Sequence, residues 1–156
     1  MALVEYIGKE LTVFLLAAAP IVELRGSIPL GLGLGIPIFQ NYLLGVSGSI
    51  LPVIPILWFL NTMTKGLRKI GLFDKFFAWL FARTRARSKL VERYEMLGLI
   101  LFIAVPLPVT GVWTGCVAAY LFGLTWLETF VAATIGTSIA GLIVTLISLG
   151  VINFLH

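Results

Sequence analysis

The decapeptide PIVELRGSIP at residues 20–29 places a carboxylate, a guanidinium and two prolines between the apolar stretches LTVFLLAAA and LGLGLGIPIF. A second interruption, PLPVTGVWTG at residues 106–115, breaks an apolar run in the second half of the chain. Proline removes a backbone donor and ends or kinks a helix. Each interruption therefore predicts a break between two helices, with polar side chains at the break.

The composition predicts the environment of these breaks. Of the 156 residues, 60% are hydrophobic and 12% are charged, and the mean hydropathy is +1.08. A soluble domain carries about 25% charged residues, so we predict a multi-pass protein of the cell membrane. The single cysteine and the single histidine, Cys116 and His156, form no metal-ligand cluster, and no nucleophile stands beside a base. We expect no enzyme activity, no metal and no other cofactor.

The charges are concentrated in a linker in the middle of the chain. Residues 61–97 contain nine basic and three acidic residues, whereas the rest of the chain has two basic and four acidic residues. Lys and Arg beside membrane segments accumulate on the cytoplasmic side, so this linker is expected to face the cytoplasm. In IGLFDKFFAWLFARTRARSKL, residues 70–90, apolar residues recur at three- and four-residue spacing. This pattern predicts an amphipathic helix on the membrane surface, which accounts for the basic residues without a nucleic-acid partner.

The apolar blocks on either side of the linker align as an internal repeat. FLLAAAPIVELRGSIP faces ILFIAVPLPVTGVWTG, which places Pro20 opposite Pro106 at an offset of 86 residues. Further along, Gly48 falls opposite Gly136 at an offset of 88. The alternative is a chance alignment of two apolar sequences. We predict a single membrane domain, 1–156, with a first repeat at 11–60 (hairpin 11–39, span 41–60) and a second at 98–154 (hairpin 98–124, span 126–154).

Segment length distinguishes a hairpin from a span. One membrane-spanning helix takes about 20 residues and two take about 40, whereas the first broken block, 11–39, has 29. We interpret each broken block as a re-entrant hairpin, two half-length helices that meet at a tip within the membrane. A hairpin returns to the side it left, so the halves would form an inverted repeat, as in many secondary transporters, with both termini outside. The alternative is one kinked span in place of each hairpin, which gives four crossings, parallel repeats and cytoplasmic termini.

Two ionisable residues, Glu23 and Arg25, lie in the first predicted tip. Placing such a side chain near the bilayer centre costs about 3 kcal/mol or more, so the pair either holds the tip together or has a function. If the pair has a function, Glu23 could carry a proton. Arg25 presents a planar fork of N–H donors that suits a phosphate or a carboxylate. The predicted substrate- or ion-binding residues are Glu23, Arg25, Gly26, Pro29, Pro106, Pro108, Thr110, Gly111, Trp113 and Thr114. Gln40, Asn41 and Glu128, where the long spans begin, are interpreted as interfacial.

The motifs ELRGSIPLGLGLG at 23–35 and PLPVTGVWTGCVAAYLFGL at 106–124, with the basic linker between them, resemble the small multidrug export protein family of prokaryotes. The resemblance extends over about residues 11–154. That family is in turn similar to the DedA-type membrane proteins, which pair re-entrant hairpins and are implicated in moving lipid carriers such as undecaprenyl phosphate. DedA-type proteins usually carry charge in both halves, whereas the second tip here, PLPVTG, has none. The resemblance therefore implies proton and arginine roles only for Glu23 and Arg25.

These observations favour a transporter with ion-coupled alternating access, with protons or Na⁺ as the coupling ion. The preferred substrate is amphipathic and anionic, such as a polyprenyl phosphate, because Arg25 and an apolar groove would suit it. The alternatives are an exporter of lipophilic cationic drugs, which would use Glu23, and a membrane scaffold without transport. An enzyme acting on lipid head groups would need a nucleophile with a base, or carboxylates that hold a metal. We expect a homodimer, since one copy offers few walls around a central site.

Overall fold

The computed structural model describes residues 2–67, 71, 74–75, 78–79, 82, 89–107 and 110–155. The predicted all-α class is confirmed for these residues, among which no strand occurs. The amphipathic helix predicted for the linker falls largely outside these ranges. The helices in the described part are α1 (Ala2–Ala18), α2 (Glu23–Gly33), α3 (Ile38–Ile50), α4 (Val53–Leu67), α5 (Lys89–Ala104), α6 (Val112–Phe122) and α7 (Trp126–Leu155).

The first polar interruption is a sharp turn between α1 and α2. Pro20 lies in this turn, and the backbone N–H of Glu23 donates to the carbonyl of Ala19 across it at 3.1 Å. Glu23 has a φ of 47°, in the left-handed region that side chains other than glycine rarely adopt. The turn after α2 also needs a positive φ, and Gly35 supplies it at 80°. The break predicted from Pro20 is therefore present.

Helices α1 and α3 pack side by side and run parallel. Near their beginnings, the hydroxyl of Tyr6 donates to the side-chain oxygen of Gln40 at 2.8 Å. Near their ends, the hydroxyl of Ser49 donates to the backbone carbonyl of Ala17 at 3.0 Å. Residues therefore pair in the same order along both helices.

Helix α2 runs antiparallel to α3. Late in α2, Gly31 lies against the side chain of Asn41, so closely that a Cβ would be 1.8 Å from its Oδ1. Earlier in α2, Ile28 lies against Gly45, one turn further along α3. Because α1 is parallel to α3, α1 and α2 fold back on each other as a helical hairpin.

Helices α5 and α6 are joined by the second interruption and also fold back on each other. Gly115, early in α6, lies against Ile103, which is late in α5. Phe122, at the end of α6, lines a groove with Tyr94 near the beginning of α5. Helix α6 then ends at Gly123, whose φ of 75° requires glycine.

Two long apolar helices follow the hairpins. Helices α3 and α4 are separated only by Leu51 and Pro52 and together give an apolar stretch of 28 residues, Ile38–Lys65. Helix α7 gives a second, Trp126–Phe154, of 29 residues. A helix crosses the bilayer with about 20 residues, so both are long enough and apolar enough to span a membrane. They supply the two candidate spans of the described part of the chain.

The two long helices run antiparallel. Gly141 in the later part of α7 lies against Tyr42, near the beginning of α3. Trp126, at the start of α7, lines a groove with Trp58 and Asn61 of α4. Between them, α4, α5, α6 and α7 enclose a buried apolar cluster that includes Val53, Leu99, Ile103, Val112, Cys116, Ala119 and Ala132.

The same close helix contact occurs in both halves. A Cβ at Gly48 of α3 would lie 2.5 Å from the carbonyl oxygen of Phe14 in α1. A Cβ at Gly136 of α7 would lie 2.9 Å from the carbonyl oxygen of Ile100 in α5. The glycines are 88 residues apart and their partners 86, the two offsets found in the sequence alignment.

We expect Gly48→Ala and Gly136→Ala each to lower the free energy of unfolding by about 1–3 kcal/mol, because the added methyl meets backbone that cannot rotate away. Thermal unfolding in detergent, followed by circular dichroism, measures the effect. Gly150→Ala in α7 is the matched control, since nothing lies within 4 Å of its added Cβ. Equal melting temperatures for Gly136→Ala and Gly150→Ala would contradict this packing.

Candidate functional site

The turns between α1 and α2 and between α5 and α6 meet at a polar cavity of about 170 Å³. We call these turns the first and the second tip. Six of the ten residues predicted from the sequence line the cavity, together with Pro20 and Ile21. These six are Glu23, Arg25, Thr110, Gly111, Trp113 and Thr114.

The other four predicted residues do not line this cavity. Gly26 lies in α2, where its added Cβ would be 2.5 Å from the side chain of Val22. Pro29 is exposed on α2, and Pro106 is half-buried in the connection after α5. Pro108 is outside the described residues. These residues shape the tips, whereas the polar contacts come from the other six.

The Glu23 carboxylate is buried against the N-terminus of α6. Glu23 belongs to the first half of the chain, and only 6% of the residue is exposed. Its Oε1 accepts from the backbone N–H of Trp113 at 3.5 Å, and the N–H of Val112 also points to the carboxylate. A helix N-terminus favours a negative charge because its first N–H groups lack partners within the helix. Glu23 therefore caps a helix of the other half.

Gly111 makes this approach possible. A Cβ at this position would lie 2.2 Å from one carboxylate oxygen of Glu23 and 2.6 Å from the other. Any side chain at this residue would displace the carboxylate from the α6 N-terminus. The glycine is thus required by the contact between the two tips.

The guanidinium of Arg25 bridges the two tips from the other side of the cavity. Its Nη1 lies 3.9 Å from Oε2 of Glu23. Its Nη2 donates to the hydroxyl of Thr110 at 3.1 Å and to the carbonyl of Val105 at 3.4 Å. Its Nε is buried and has no hydrogen-bond partner among the described residues. Among the described residues, the hydrogen bonds of Arg25 come from Nη2, so its Nε and Nη1 keep N–H donors for a further acceptor.

Thr110 and Thr114 hold the second tip in its irregular form. The Thr110 hydroxyl donates to the carbonyl of Val105 at 2.6 Å and accepts from the N–H of Leu107 at 3.2 Å. The Thr114 hydroxyl accepts from the N–H of Gly111 at 3.1 Å. Irregular backbone at membrane depth must have its polar groups satisfied in this way or by water in a cavity.

Trp113 separates the polar cavity from an apolar groove. Its indole nitrogen donates to the carbonyl of Ala18 at 3.2 Å, which links the second tip to the end of α1. The same side chain lines a groove of about 370 Å³ formed with Pro55, Ile56, Phe59, Leu60 and Val117. A polar site and an apolar groove therefore adjoin at one residue.

Two buried polar residues near the site were missed by the sequence reasoning. Asn41 was expected at the interface but is fully buried, and its Nδ2 donates to the carbonyl of Ile28 at 2.7 Å. Ser27 is fully buried as well. The signal that could have found Ser27 is its four-residue spacing from Glu23, which places both on one face of a helix.

Comparison with known protein families matches residues 23–143 to the family described as "Putative small multi-drug export protein". No curated protein and no solved structure matches the chain. The matched region contains all of α2, α3 and α4, the second tip and the first part of α7, so it includes the six predicted residues that line the cavity. The resemblance to this family is confirmed, and the more distant one to DedA-type proteins stays a prediction. Because the match covers most of its length, the chain belongs to the small multi-drug export protein family.

Proposed function

We propose that the protein is an alternating-access transporter of an amphipathic substrate with an anionic headgroup, coupled to proton binding at Glu23. The observation that carries the proposal is the position of Trp113, which lines both a polar cavity with a buried acid–base pair and an apolar groove. A headgroup beside Arg25 would have its hydrocarbon tail next to this groove. The family description, which names export, agrees with transport as the activity.

The packing supports an inverted repeat of two re-entrant hairpins. Helices α1 and α2 fold back at the first tip, α5 and α6 fold back at the second, and each hairpin packs against a long helix. The tips meet beside the middle of those helices, because Ser49 reaches Ala17 and Gly136 lies against Ile103. The long helices run in opposite directions, as an inverted repeat requires. In this arrangement the basic linker is cytoplasmic and both termini are outside.

The charge balance of the site suggests how proton and substrate are coupled. Deprotonated Glu23 occupies the α6 N-terminus and lies beside Arg25. A proton on Glu23 removes this negative charge, so that Arg25 and the N–H groups of Val112 and Trp113 can interact with a phosphate. Protonation also weakens the contact that holds the tips together. Proton and anionic headgroup would therefore bind together, and the tips would separate as they bind.

Transport by the purified protein in liposomes tests the proposal. The probe is tritiated farnesyl phosphate, a single-chain prenyl phosphate, with a pH gradient across the membrane. We expect gradient-dependent movement of the probe above that of protein-free liposomes, accompanied by proton movement in a fixed ratio. If the protein moved the lipophilic cation ethidium and did not move farnesyl phosphate, the proposed negative charge of the substrate would be wrong.

The sidedness of the N-terminus tests the inverted repeat. In a Cys116→Ala background, Ala2→Cys should react with a membrane-impermeant thiol reagent on intact cells, because each half then crosses the membrane once. Labelling only after lysis would support the kinked-span alternative with parallel repeats. Cys116 is fully buried in the apolar cluster, so its replacement by the smaller alanine removes little of the packing.

A further inference from the structure

The apolar groove beside Trp113 lies between α4 and α6 and is lined by hydrocarbon side chains. Apart from Trp113, the residues that line it carry no polar side-chain atom: Pro55, Ile56, Phe59 and Leu60 on α4, and Val117 on α6. Ile56 is buried, whereas Phe59 and Val117 are exposed on opposite sides of the groove. The volume of about 370 Å³ is typical of a small-molecule pocket. The groove therefore has room for a hydrocarbon group and opens sideways toward the bilayer.

Both helices that form the groove run from the tips toward the linker. Trp113, the second residue of α6, lines the groove with Pro55 near the beginning of α4. Near the ends of these helices, the hydroxyl of Tyr120 on α6 donates to the hydroxyl of Thr64 on α4. Helices α4 and α6 are therefore parallel, and α4 ends at Leu67 on the linker side.

The groove occupies the linker-side half of the membrane in the proposed topology. Ser49, whose hydroxyl donates to the carbonyl of Ala17 beside the first tip, marks the depth of the tips. The groove residues from Pro55 to Leu60 follow Ser49 by six to eleven residues. At about 1.5 Å per residue, they lie roughly 9–17 Å further along the long helix. Because the hydrocarbon core is about 30 Å thick, the groove extends from near its middle to near its linker-side surface.

Trp113 connects this groove to the polar cavity that contains Arg25. It lines both spaces, and its indole N–H donates to the carbonyl of Ala18, which fixes the ring between them. The groove with Trp58 and Trp126 and the groove with Tyr94 and Phe122, both described above, share no lining residue with the polar cavity. Of these three apolar grooves, the one between α4 and α6 is thus the one that continues from the site.

We propose that the α4–α6 groove binds the hydrocarbon chain of the substrate, with the headgroup at Arg25 and the chain directed past Trp113 toward the linker side of the membrane. This inference rests on the proposed function, because it requires an anionic headgroup at the tips. A bilayer phospholipid is a poorer occupant, since its charged headgroup stays at the membrane surface and does not reach the tips.

The groove selects the chain by shape. Lipid tails are as apolar as the groove, so a chain that moves from the bilayer into it gains packing contacts and little from the hydrophobic effect. Phe59 and Val117, which face each other across the groove, set its width. The chain that fits between them is part of what the protein recognises, in addition to the headgroup.

Val117→Trp tests the proposal, because it fills the groove with another apolar side chain. We expect this variant to weaken the binding of tritiated farnesyl phosphate about tenfold in equilibrium dialysis in detergent, since even one methylene in an apolar pocket changes recognition by about that factor. Val151→Trp is the matched control, the same substitution at an exposed valine of α7 that does not line the groove. Equal losses of binding in the two variants would overturn the inference, because they indicate a general effect of the added indole.

Photolabelling of the wild-type protein keeps the proposal testable even if Val117→Trp fails to fold. The probe is farnesyl phosphate with a diazirine at the far end of its chain, and mass spectrometry of peptides locates the label. We expect the label on groove residues of α4 or α6, and excess unmodified farnesyl phosphate should prevent it. Label on α1 or α3 instead would overturn the proposed direction of the chain. Groove labelling that excess farnesyl phosphate does not prevent would assign the groove to bilayer lipid and overturn the inference.

The outcomes separate this inference from the proposed function. If wild-type protein neither binds nor moves farnesyl phosphate, the proposed function fails and takes the inference with it. If wild-type protein binds and moves farnesyl phosphate and Val117→Trp binds it equally well, the groove does not hold the chain, while the transporter and its headgroup site stand.

Discussion

Glu23→Gln should reduce pH-gradient-driven transport of farnesyl phosphate to the level of protein-free liposomes while the protein remains folded. Glutamine has nearly the same shape, and its side-chain oxygen can still accept from the backbone N–H groups of Val112 and Trp113. It cannot exchange a proton, so the coupling step is lost. Replacing a charged acceptor by a neutral one weakens such bonds by about 1 kcal/mol, and the smaller desolvation cost of glutamine offsets part of that loss.

This variant separates a transporter from a scaffold. In a scaffold, Glu23 only joins the tips, and Glu23→Gln would change stability or abundance without any transport defect. The control is Glu128→Gln, the same substitution at a carboxylate that also caps a helix. Glu128 accepts from the N–H and hydroxyl of Thr125 at 2.7 and 2.8 Å, at the start of α7 and away from the tips. Undiminished gradient-driven transport by Glu23→Gln would show that Glu23 is not the coupling group.

Arg25→Ala should lower the free energy of unfolding by about 3 kcal/mol, the lower end of the range for breaking a buried ion pair, because the carboxylate of Glu23 is left without its counter-charge. We use the lower end since the Arg25 side chain is 20% exposed. Chemical unfolding in detergent measures the change. The double variant Glu23→Gln/Arg25→Ala should recover most of the loss, because it leaves no unpaired charge.

The conservative variant Arg25→Lys distinguishes charge from shape. Lysine keeps the positive charge but has no planar fork of N–H donors, so it cannot hold Thr110 and donate two hydrogen bonds to a phosphate at the same time. We expect Arg25→Lys to keep most of the stability and to lose farnesyl phosphate binding, measured by equilibrium dialysis in detergent. Lys9→Ala is the control for removing a cation: the Lys9–Glu5 pair is at the surface, and such pairs contribute about 0–1 kcal/mol. Wild-type affinity in Arg25→Lys would exclude bidentate headgroup binding.

Local chemistry explains what could be predicted from the sequence. A proline acts on the turn of helix in which it stands, so Pro20 and Pro106 indicated both breaks without knowledge of the rest of the fold. The charges of Glu23 and Arg25 were conspicuous because such residues are costly within a membrane. The repeat offsets were readable because the glycines and prolines at close contacts recur in the same order.

Long-range contacts explain what could not be predicted. The carboxylate of Glu23 accepts from the backbone N–H of Trp113, which is 90 residues away. Every residue other than proline has a backbone N–H, so the sequence does not indicate which of them a side chain contacts. Asn41 was placed at the interface, since composition alone cannot tell whether a polar residue at the start of a span faces lipid headgroups or another helix.

The helices on either side of the predicted linker, 61–97, extend into it. Helix α4 continues to Leu67 and α5 begins at Lys89, both within the predicted linker 61–97. Charged residues lower the hydropathy there, but they do not interrupt the backbone hydrogen bonds of a helix. The predicted span at 41–60 likewise comprises two helices that meet at Pro52.

In the proposed transport cycle, the left-handed backbone of Glu23 has a consequence for the energy of gating. A residue with a side chain pays about 1–2 kcal/mol to stay in this region, and in this structure the φ of Glu23 is 47°. The contacts of its side chain with α6 and Arg25 offset that cost while the tips are together. Once a proton neutralises the carboxylate, the conformational strain at Glu23 remains, whereas its contacts with α6 and Arg25 become weaker. Relaxation of this one dihedral would then favour separated tips by roughly 5- to 30-fold, before any substrate contact contributes.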